Sequence, residues 1–388
     1  MTRTRTAIVV GGGIAGPVAA LALRRAGIEA TVHESHSTTA DGIGGALSVA
    51  PNGRAALGLV GLDRVGVPMN AIVLQNHKGR AITELRQPMQ FTWRADLHRR
   101  LYDLALHQGV PVHHGHELVD VRDSGTGIRA VFADGTTSEE ADVLIGADGL
   151  RSTVRRLIDP RAPQPRYSGL LGFGARVDGA GPPPTGDRMY MAFGRCAFFG
   201  YQTFDDGTGV WFANLPHPYA TWQQVRQTPN EEWLRRLGEA FAGDTVPALD
   251  LLRRTPPEAL VTAGPMEDLP HVPHWHRGRM VLVGDSAHAT SPSSGQGASL
   301  AAESAVELAR ALRDLPHSQA FAAYERARRA RVERVIAQAA RTNSGKAAGA
   351  VGRVFRDALL SLFARLATPE KMAWQYDHRI HWDTAVAT

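Results

Sequence analysis

The stretch Ala7-Ile8-Val9-Val10-Gly11-Gly12-Gly13-Ile14-Ala15-Gly16 decides the fold. Its run of four apolar residues predicts a parallel strand buried on both faces. The glycines predict a tight turn, residues 14–26 a helix ended near Gly27, and Thr31-Val32-His33-Glu34 the next strand. In that context the spacing Gly11-x-Gly13-x-x-Gly16 has a physical meaning. The first glycine makes the turn, the second lets backbone approach a pyrophosphate, and the third lets the helix pack on the strand. Free N–H groups where the helix opens, at Ile14 and Ala15, would hold the pyrophosphate. Glu34 follows Gly16 by 18 residues. An acid that binds a ribose is expected at ~20.

Outward from this stretch, the whole chain is that of an ordinary globular protein. Its 388 residues are 43% hydrophobic and 21% charged, which excludes disordered, collagen-like and coiled-coil classes. A single cysteine, Cys196, rules out an internal disulfide and fits a reducing, cytoplasmic setting. All but three of the 43 basic residues are arginine and the net charge is only +5. With no basic run interleaved with aromatics, no nucleic-acid partner is expected. Arg3 and Arg5 before an apolar stretch imitate a signal peptide, but Gly11 to Gly13 and Pro17 interrupt it and no cleavage pattern follows. No other segment approaches ~18 uninterrupted apolar residues, so no membrane span is expected.

Residues 41–70 are Gly-rich, then helical, with Ala55, Leu59 and Leu62 on one face. Residues 94–108 place Leu97, Leu101, Leu104 and Ala105 on one helical stripe. Residues 111–145 read as a β-meander. From Pro160 to Pro273 the chain turns to prolines, aromatics and alternating strands, with Asp206-Gly207 as a hairpin signal. A buried strand at Met280-Val281-Leu282-Val283 precedes a helix from about 297 to 313, and helices are expected over 318–342 and 350–367. The last of these has an apolar stripe that reads as a helix bridging domains rather than a membrane-surface helix. This predicts an α/β fold with a Rossmann-like domain, residues 1–70 with 94–160 and 274–320, interrupted by a mainly β domain, 71–93 with 161–273, and followed by a helical tail, 321–388.

Two further motifs carry chemistry. One is Asp142-Val143-Leu144-Ile145-Gly146-Ala147-Asp148-Gly149, continuing to Arg155. The other is Gly278-Arg279-Met280-Val281-Leu282-Val283-Gly284-Asp285-Ser286-Ala287-His288, followed by Pro292 and Gly295-Gln296-Gly297. Together with the first motif, in this order and at these separations, the chain resembles the flavin-dependent aromatic hydroxylases typified by para-hydroxybenzoate hydroxylase. The resemblance runs from Ala7 to about Arg331, and Pro51-Asn52-Gly53 and Tyr324-Glu325-x-x-Arg328-x-x-Arg331 also fit it.

The resemblance implies a cofactor, FAD, and a set of roles. Gly11, Gly13, Gly16 and Glu34 would hold its ADP half, Arg94 would lie against it, and Leu118 would pass near the adenine through its backbone. Asp148-Gly149 would line the pyrophosphate and help NAD(P)H to dock. Gly284-Asp285 would bind the ribityl hydroxyls, and Pro292 with Gly295, Gln296, Gly297 and Ala298 would border the isoalloxazine ring. A helix starting near Gly297 offers free N–H groups and a positive dipole end to charge near flavin N1, an effect of about 0.3–2 kcal/mol. The implied reaction uses NAD(P)H and O2, through a flavin C4a-hydroperoxide, to hydroxylate an aromatic or polycyclic small molecule. No catalytic acid or base is assigned, because the cofactor carries the chemistry. A flavin oxidase or reductase, a Baeyer–Villiger oxygenase and a non-catalytic FAD-binding protein remain as alternatives. A monomer or homodimer fits equally.

Three positions depart from the family pattern: Ser299 for Asn, Ser304 for an acid, and Ser286 for Ala. Among aromatics of the β domain, alternation puts Phe199 and Tyr201 on one face and Phe198 and Gln202 on the other. Arg195, Tyr201 and Asn214 are its candidate polar contacts to substrate. His271-x-x-His274-x-His276 and His113-His114-x-His116 read as structural, and no metal is expected. Ser286 and His288 lack the G-x-S-x-G elbow of a hydrolase.

Overall fold

A computed structural model describes residues 3–38, 45–346 and 369–387. The helix expected over 350–367 lies outside them. The chain begins with β1 (Thr6–Val10), α1 (Ala15–Arg25), β2 (Glu29–Glu34), β3 (Ala46–Val49) and α2 (Pro51–Leu59). A long hairpin, β4 (Val67–Asn76) and β5 (Ala81–Trp93), leads directly into α3 (Arg94–His107). Then come β6 (Val112–His114), β7 (Leu118–Asp123), β8 (Ile128–Phe132), β9 (Val143–Gly146) and α4 (Thr153–Ile158). The strands β10 (Arg166–Val177), β11 (Arg188–Phe193), β12 (Phe198–Thr203) and β13 (Gly209–Pro216) precede α5 (Trp222–Gln227), α6 (Asn230–Phe241) and α7 (Ala248–Arg253). The chain closes with β14 (Val261–Asp268), β15 (His276–Arg277), β16 (Met280–Leu282), α8 (Asp285–His288), α9 (Gly297–Asp314), α10 (His317–Lys346) and α11 (Pro369–Tyr376).

A six-stranded sheet has the order β15-β16-β9-β1-β2-β6, parallel except at β15. Its central strands are apolar throughout because helices and the β7–β8 hairpin bury both faces. The segment 111–145 is therefore not a meander. β6 and β9 leave for opposite sides of β1, and only β7 and β8 pair with each other. The loops after β1, β9 and β16 all leave from one edge, the carboxyl edge of parallel strands. Crevices that bind ligands form at that edge.

α1 carries Pro17 in its first turn, where a missing N–H is harmless, and ends before Gly27 at φ 77°. α9, buried along nearly its whole length from Ser299 to Leu312, lies between α1, α2 and α10. No helix among the described residues is long and apolar enough to cross a membrane.

The second sheet has eight strands, β14-β10-β13-β12-β11-β4-β5-β3. One face carries Phe199, Tyr201 and Trp211 into a core with Trp233, Leu237 and Phe241 of α6. Alternation sends Met69, Met89, Phe91, Met189 and Val210 to the other face, where they meet Ala50 beside α2. The cleft lies between that face and the carboxyl edge of the parallel sheet.

Candidate functional site

The first wall of the cleft is the β1–α1 turn. Gly11 sits at φ 103° and donates its N–H to His33 O at 2.8 Å. A Cβ there would come within 2.4 Å of Ala147 O, and one at Gly16 within 1.9 Å of Gly11 O. Only glycine fits at these two positions. At Gly13 a Cβ would meet only Arg94 Nη2, at 3.8 Å, so this glycine keeps open the space in front of α1 rather than a contact inside the protein. No side chain among the described residues caps α1, so its first N–H groups face the cleft.

Glu34 ends β2 and accepts the Gly12 N–H at 2.6 Å and the His36 N–H at 2.9 Å. Burial pulls its carboxyl up, but bonds from His36, Gly12 and Ser35 outweigh that and hold it below the ordinary value. His98, one turn after Arg94 on α3, is buried and bonds Gly12 O through Nε2 at 2.8 Å. Sequence reading missed this residue, although the Arg94/His98 spacing puts both on one helix face. Leu118 is buried at the start of β7, two residues past His116, whose N–H donates to Glu34 O at 2.8 Å.

The second wall follows β9. Asp148 accepts from Ser152 Oγ at 2.5 Å and from Val154 N at 3.0 Å, and burial raises its carboxyl. Gly149 turns the chain at φ 74°. Arg155, almost fully buried, ties this loop to the next by donating to Leu150 O at 2.6 Å and Ser286 O at 3.0 Å.

The third wall follows β16. Gly284, at φ 64°, has Ala15 Cβ 2.8 Å from where its own Cβ would be, so the turn rests on α1. Ser286 Oγ lies 2.6 Å from Gly146 O, which gives the departure at 286 a use: it pins the turn to β9. Asp285 is reachable from the cleft yet sits deep among protein atoms. That burial raises its carboxyl, and the nearby Arg94 opposes the shift. Arg94 therefore stands between the Gly13 loop and Asp285.

Pro292 begins the loop that leads to α9. Gly295 adopts φ 59°, and a Cβ there would meet Ser48 Oγ at 3.1 Å and Met89 Cε at 3.7 Å. Gly297 has only Thr290 within 4 Å of a Cβ, at 3.8 Å. No side chain among the described residues caps α9, so the N–H groups of Gly297 and Ala298 face the space beside this glycine loop. Gln296 is held from below by Asn52, whose Nδ2 donates to Gln296 Oε1 at 3.0 Å.

His288 is not poised as a base. Burial pushes its imidazole down to about 3, the Arg328 charge adds to this, and Nε2 pairs with Ser304 Oγ at 2.8 Å. His33, His113 and His116 stack on one another, while His114 turns away to Tyr102 and His36 O. No group among the described residues could hold a metal ion.

Two of the three expected substrate contacts are not brought to the cleft. Tyr201 faces the helix-covered core, stacked on Tyr190 at 5.4 Å, because β12 presents its odd residues to α6. Arg195 lies in the β11–β12 turn, where its N–H meets Asp244 Oδ1 at 3.2 Å and its guanidinium lies beside Gly243. Asn214 is on the cleft-side face of β13 with Val210 and Phe212, and is buried. The sequence reading counted Phe212 among the aromatics of the β domain but missed Met69, Met89 and Met189.

These features fit a dinucleotide flavin: a glycine turn that admits no Cβ at Gly11 and Gly16 and keeps open space at Gly13, uncapped helix starts at two points, and the Asp285 carboxylate beside them. The chain matches the FAD binding domain family over residues 3–177 and 261–339. It is 34% identical to the 3-amino-4-hydroxybenzoate 2-monooxygenase of Streptomyces platensis, over 84% of this chain and 85% of that one. It is 31% identical to the aurachin C monooxygenase/isomerase of Stigmatella aurantiaca, over 79% and 80% of the two chains. The crystal structure of Klebsiella pneumoniae HpxO complexed with FAD and uric acid superposes with a TM-score of 0.82 at 25% identity, covering 95% of this chain and 94% of that one.

Proposed function

The chain belongs to the FAD binding domain family of class A flavin monooxygenases, and from that premise we propose how its cleft works. It is an FAD-dependent oxidoreductase that uses NAD(P)H and O2 to oxygenate an aromatic small molecule. Bound FAD supplies the redox chemistry, and the protein binds it, orients it and excludes water.

In this reading Gly11 and Gly13, with the N–H groups at Ile14 and Ala15, hold the pyrophosphate, and Gly16 lets α1 come close enough to do so. Three of the bonds to Glu34 crowd Oε1, while Oε2 accepts only the Gly12 N–H, so Oε2 has room for a ribose hydroxyl. Leu118 borders the adenine. Arg94 offsets phosphate charge, and Asp148-Gly149 form the rim where NAD(P)H approaches. Asp285 accepts from the ribityl hydroxyls, while Gly284 sets its height over α1. Pro292, Gly295 and Gln296 border the ring, while Gly297 and Ala298 bring backbone donors and the positive end of α9 to its electron-rich edge.

The substrate meets the face of Met69, Met89, Met189, Phe91 and Phe212, with Asn214 as a polar contact. Thioethers are polarizable and adapt to flat rings, so this wall suits a planar, largely apolar aromatic. The observation that carries the reading is Gly295, which stands two residues before α9 and faces Met89, whose Cε would lie 3.7 Å from a Cβ placed there, so that the loop bordering the ring adjoins the substrate wall.

The test is spectroscopic and then isotopic. The purified protein is expected to be yellow, to release FAD on denaturation, and to oxidise NADH or NADPH faster with a planar aromatic that gains one atom of 18O from 18O2. A protein that cannot be reconstituted with FAD overturns the reading. A product without 18O overturns the oxygenase assignment and leaves an oxidase.

A further inference from the structure

Two features have no part in the reading above: a buried acid on α9, Glu303, and the C-terminal helix α11. The last residue of α11, Tyr376, packs against the cluster of Ala50, Met69, Met89, Phe91, Met189 and Val210. That is the proposed substrate wall, and its Met89 also abuts Gly295. A residue of the tail thus packs on the same cluster that, through Met89, reaches the flavin-facing loop.

Arg331 of α10 holds the tail there. Its Nη2 donates to Gln375 O at 2.9 Å and its Nη1 donates to Trp374 O. The same guanidinium grips Glu303 through two bonds, Nε to Oε2 and Nη2 to Oε1, each 2.9 Å. Glu303 Oε1 also accepts from Asn52 Nδ2 at 2.5 Å, and that Nδ2 reaches Gln296 Oε1. A continuous polar route therefore runs from the segment carrying Tyr376 through Arg331, Glu303 and Asn52 to Gln296, which opens α9.

The middle of the route is dry: Glu303 and Gln296 are 0% exposed and Asn52 is 1% exposed. A second cation, Arg328, is paired with Glu303 at 2.5 Å. Burial raises the Glu303 carboxyl, but Arg328 and Arg331 outweigh it and bring the group down to about 2, so the acid stays charged. Buried ion pairs add little net stability compared with well-packed apolar groups, and fixing register is their best-attested use. At the tail end Gln375, 4% exposed, has an Oε1 without a hydrogen-bond partner among the described residues.

We propose that Tyr376 is a specificity-determining wall of the substrate cavity, and that Glu303, acting through Arg331, is the positioning residue that registers this wall against the flavin-facing loop. The inference rests on the flavin reading. Burial pushes the Tyr376 phenol up to about 12, so it remains a neutral hydroxyl at working pH. Such a wall can donate a hydrogen bond to an acceptor oxygen on a planar aromatic.

The test uses FAD-loaded full-length protein and two readouts that need no substrate: iodide quenching of bound flavin fluorescence, and hydrogen exchange of peptides covering 294–298 and 373–378. Tyr376→Ala is expected to raise the quenching constant at least two-fold with FAD content and melting temperature held. Glu303→Gln is expected to speed exchange in both peptides together, by about ten-fold, with Glu303→Asp recovering part of the loss. Arg331→Lys keeps the charge but loses the fork, and is expected to raise quenching as Tyr376→Ala does. Unchanged quenching in both Tyr376→Ala and Arg331→Lys, or exchange that rises at one peptide only in Glu303→Gln, overturns the proposal. Wild-type protein that retains no FAD overturns the flavin reading itself, a result visible before any variant is made.

Discussion

Ser299 Oγ accepts the Ala50 backbone N–H at 3.1 Å, where α2 begins against α9. The same oxygen would lie 2.4 Å from a Cβ placed on Gly53, and the Ser299 Cα 2.7 Å from it. The two helices therefore cross nearly backbone to backbone, and Pro51-Asn52-Gly53 matches Gly295-Gln296-Gly297-Ala298-Ser299 as one interlocked unit. Gly53→Ala should force the helices apart and cost about 1–3 kcal/mol, the usual range for overpacking. Urea denaturation of the FAD-loaded protein measures this, and an unchanged midpoint would contradict the close crossing.

The glycines of the first loop should separate folding from binding. At Gly16 a methyl group would collide with Gly11 O, so Gly16→Ala should lose both stability and FAD. At Gly13 only Arg94 Nη2 lies within reach, so Gly13→Ala should fold with a wild-type melting temperature in the FAD-free state. Its FAD dissociation constant should nevertheless rise by about ten-fold or more, a loss of about 1.4 kcal/mol. Fluorescence titration of the apoprotein with FAD checks this. Equal affinity in Gly13→Ala and wild type would mean that the pyrophosphate lies elsewhere.

How much of this was legible in the sequence follows from how local each feature is. The turns at Gly11, Gly149 and Gly284 were readable because each demands positive φ at one residue next to an apolar strand. The place of β9 was not read correctly from its neighbours. Yet its unbroken run Val143-Leu144-Ile145 already distinguished a strand buried on both faces from the alternating β8. Strand alternation in β12 correctly separated Tyr201 from Phe198 and Gln202, but it cannot say which face meets the cleft. That is decided by α6, which covers the Tyr201 side far along the chain. The hydrogen-bonded chain Arg331–Glu303–Asn52–Gln296 joins three segments, α2, α9 with its N-cap, and α10; Asn52, Gln296 and Arg331 each lie in a motif read from the sequence, but no local pattern says that they meet.

Asp285 should matter for holding the cofactor more than for folding. Its side chain is exposed to the cleft, yet the surrounding protein desolvates its carboxyl enough to raise it despite Arg94. Asp285→Ala removes a charged hydrogen-bond acceptor, an interaction of about 1.5–3 kcal/mol. FAD affinity should fall by roughly 10- to 150-fold. Full FAD occupancy of the purified variant at micromolar protein after dialysis would discard the ribityl role.

Two buried histidines should set the acid limit of stability. His33 is 5% exposed and His288 is 2% exposed. Burial, with the neighbouring His113 and His116, brings His33 down to about 4, and burial with Arg328 brings His288 to about 3. The Nδ1 atoms of His33 and His116 lie 2.9 Å apart, a contact that survives only while one of them stays unprotonated. Both folded-state values fall below the ordinary 6.5, so the unfolded chain binds more protons as the pH drops. The stability these groups contribute is therefore complete above pH 6.5 and is lost as the pH falls toward 4 for His33 and 3 for His288. Each should lower the unfolding free energy by about 1.4 kcal/mol per pH unit, or about 2 kcal/mol between pH 6.5 and 5. Glu303, brought to about 2 from 4.5, acts in the same direction but only below pH 4.5, so it does not enter that window. Urea unfolding at pH 7.5, 6 and 5 in matched FAD should show stability falling as the pH drops below 6.5, with His33 and His288 each contributing about one proton to the slope. His33→Phe keeps the ring stack and should remove one proton from the slope, and His288→Gln the other. A double variant whose pH dependence matches the wild type would show that neither histidine is held neutral by its burial.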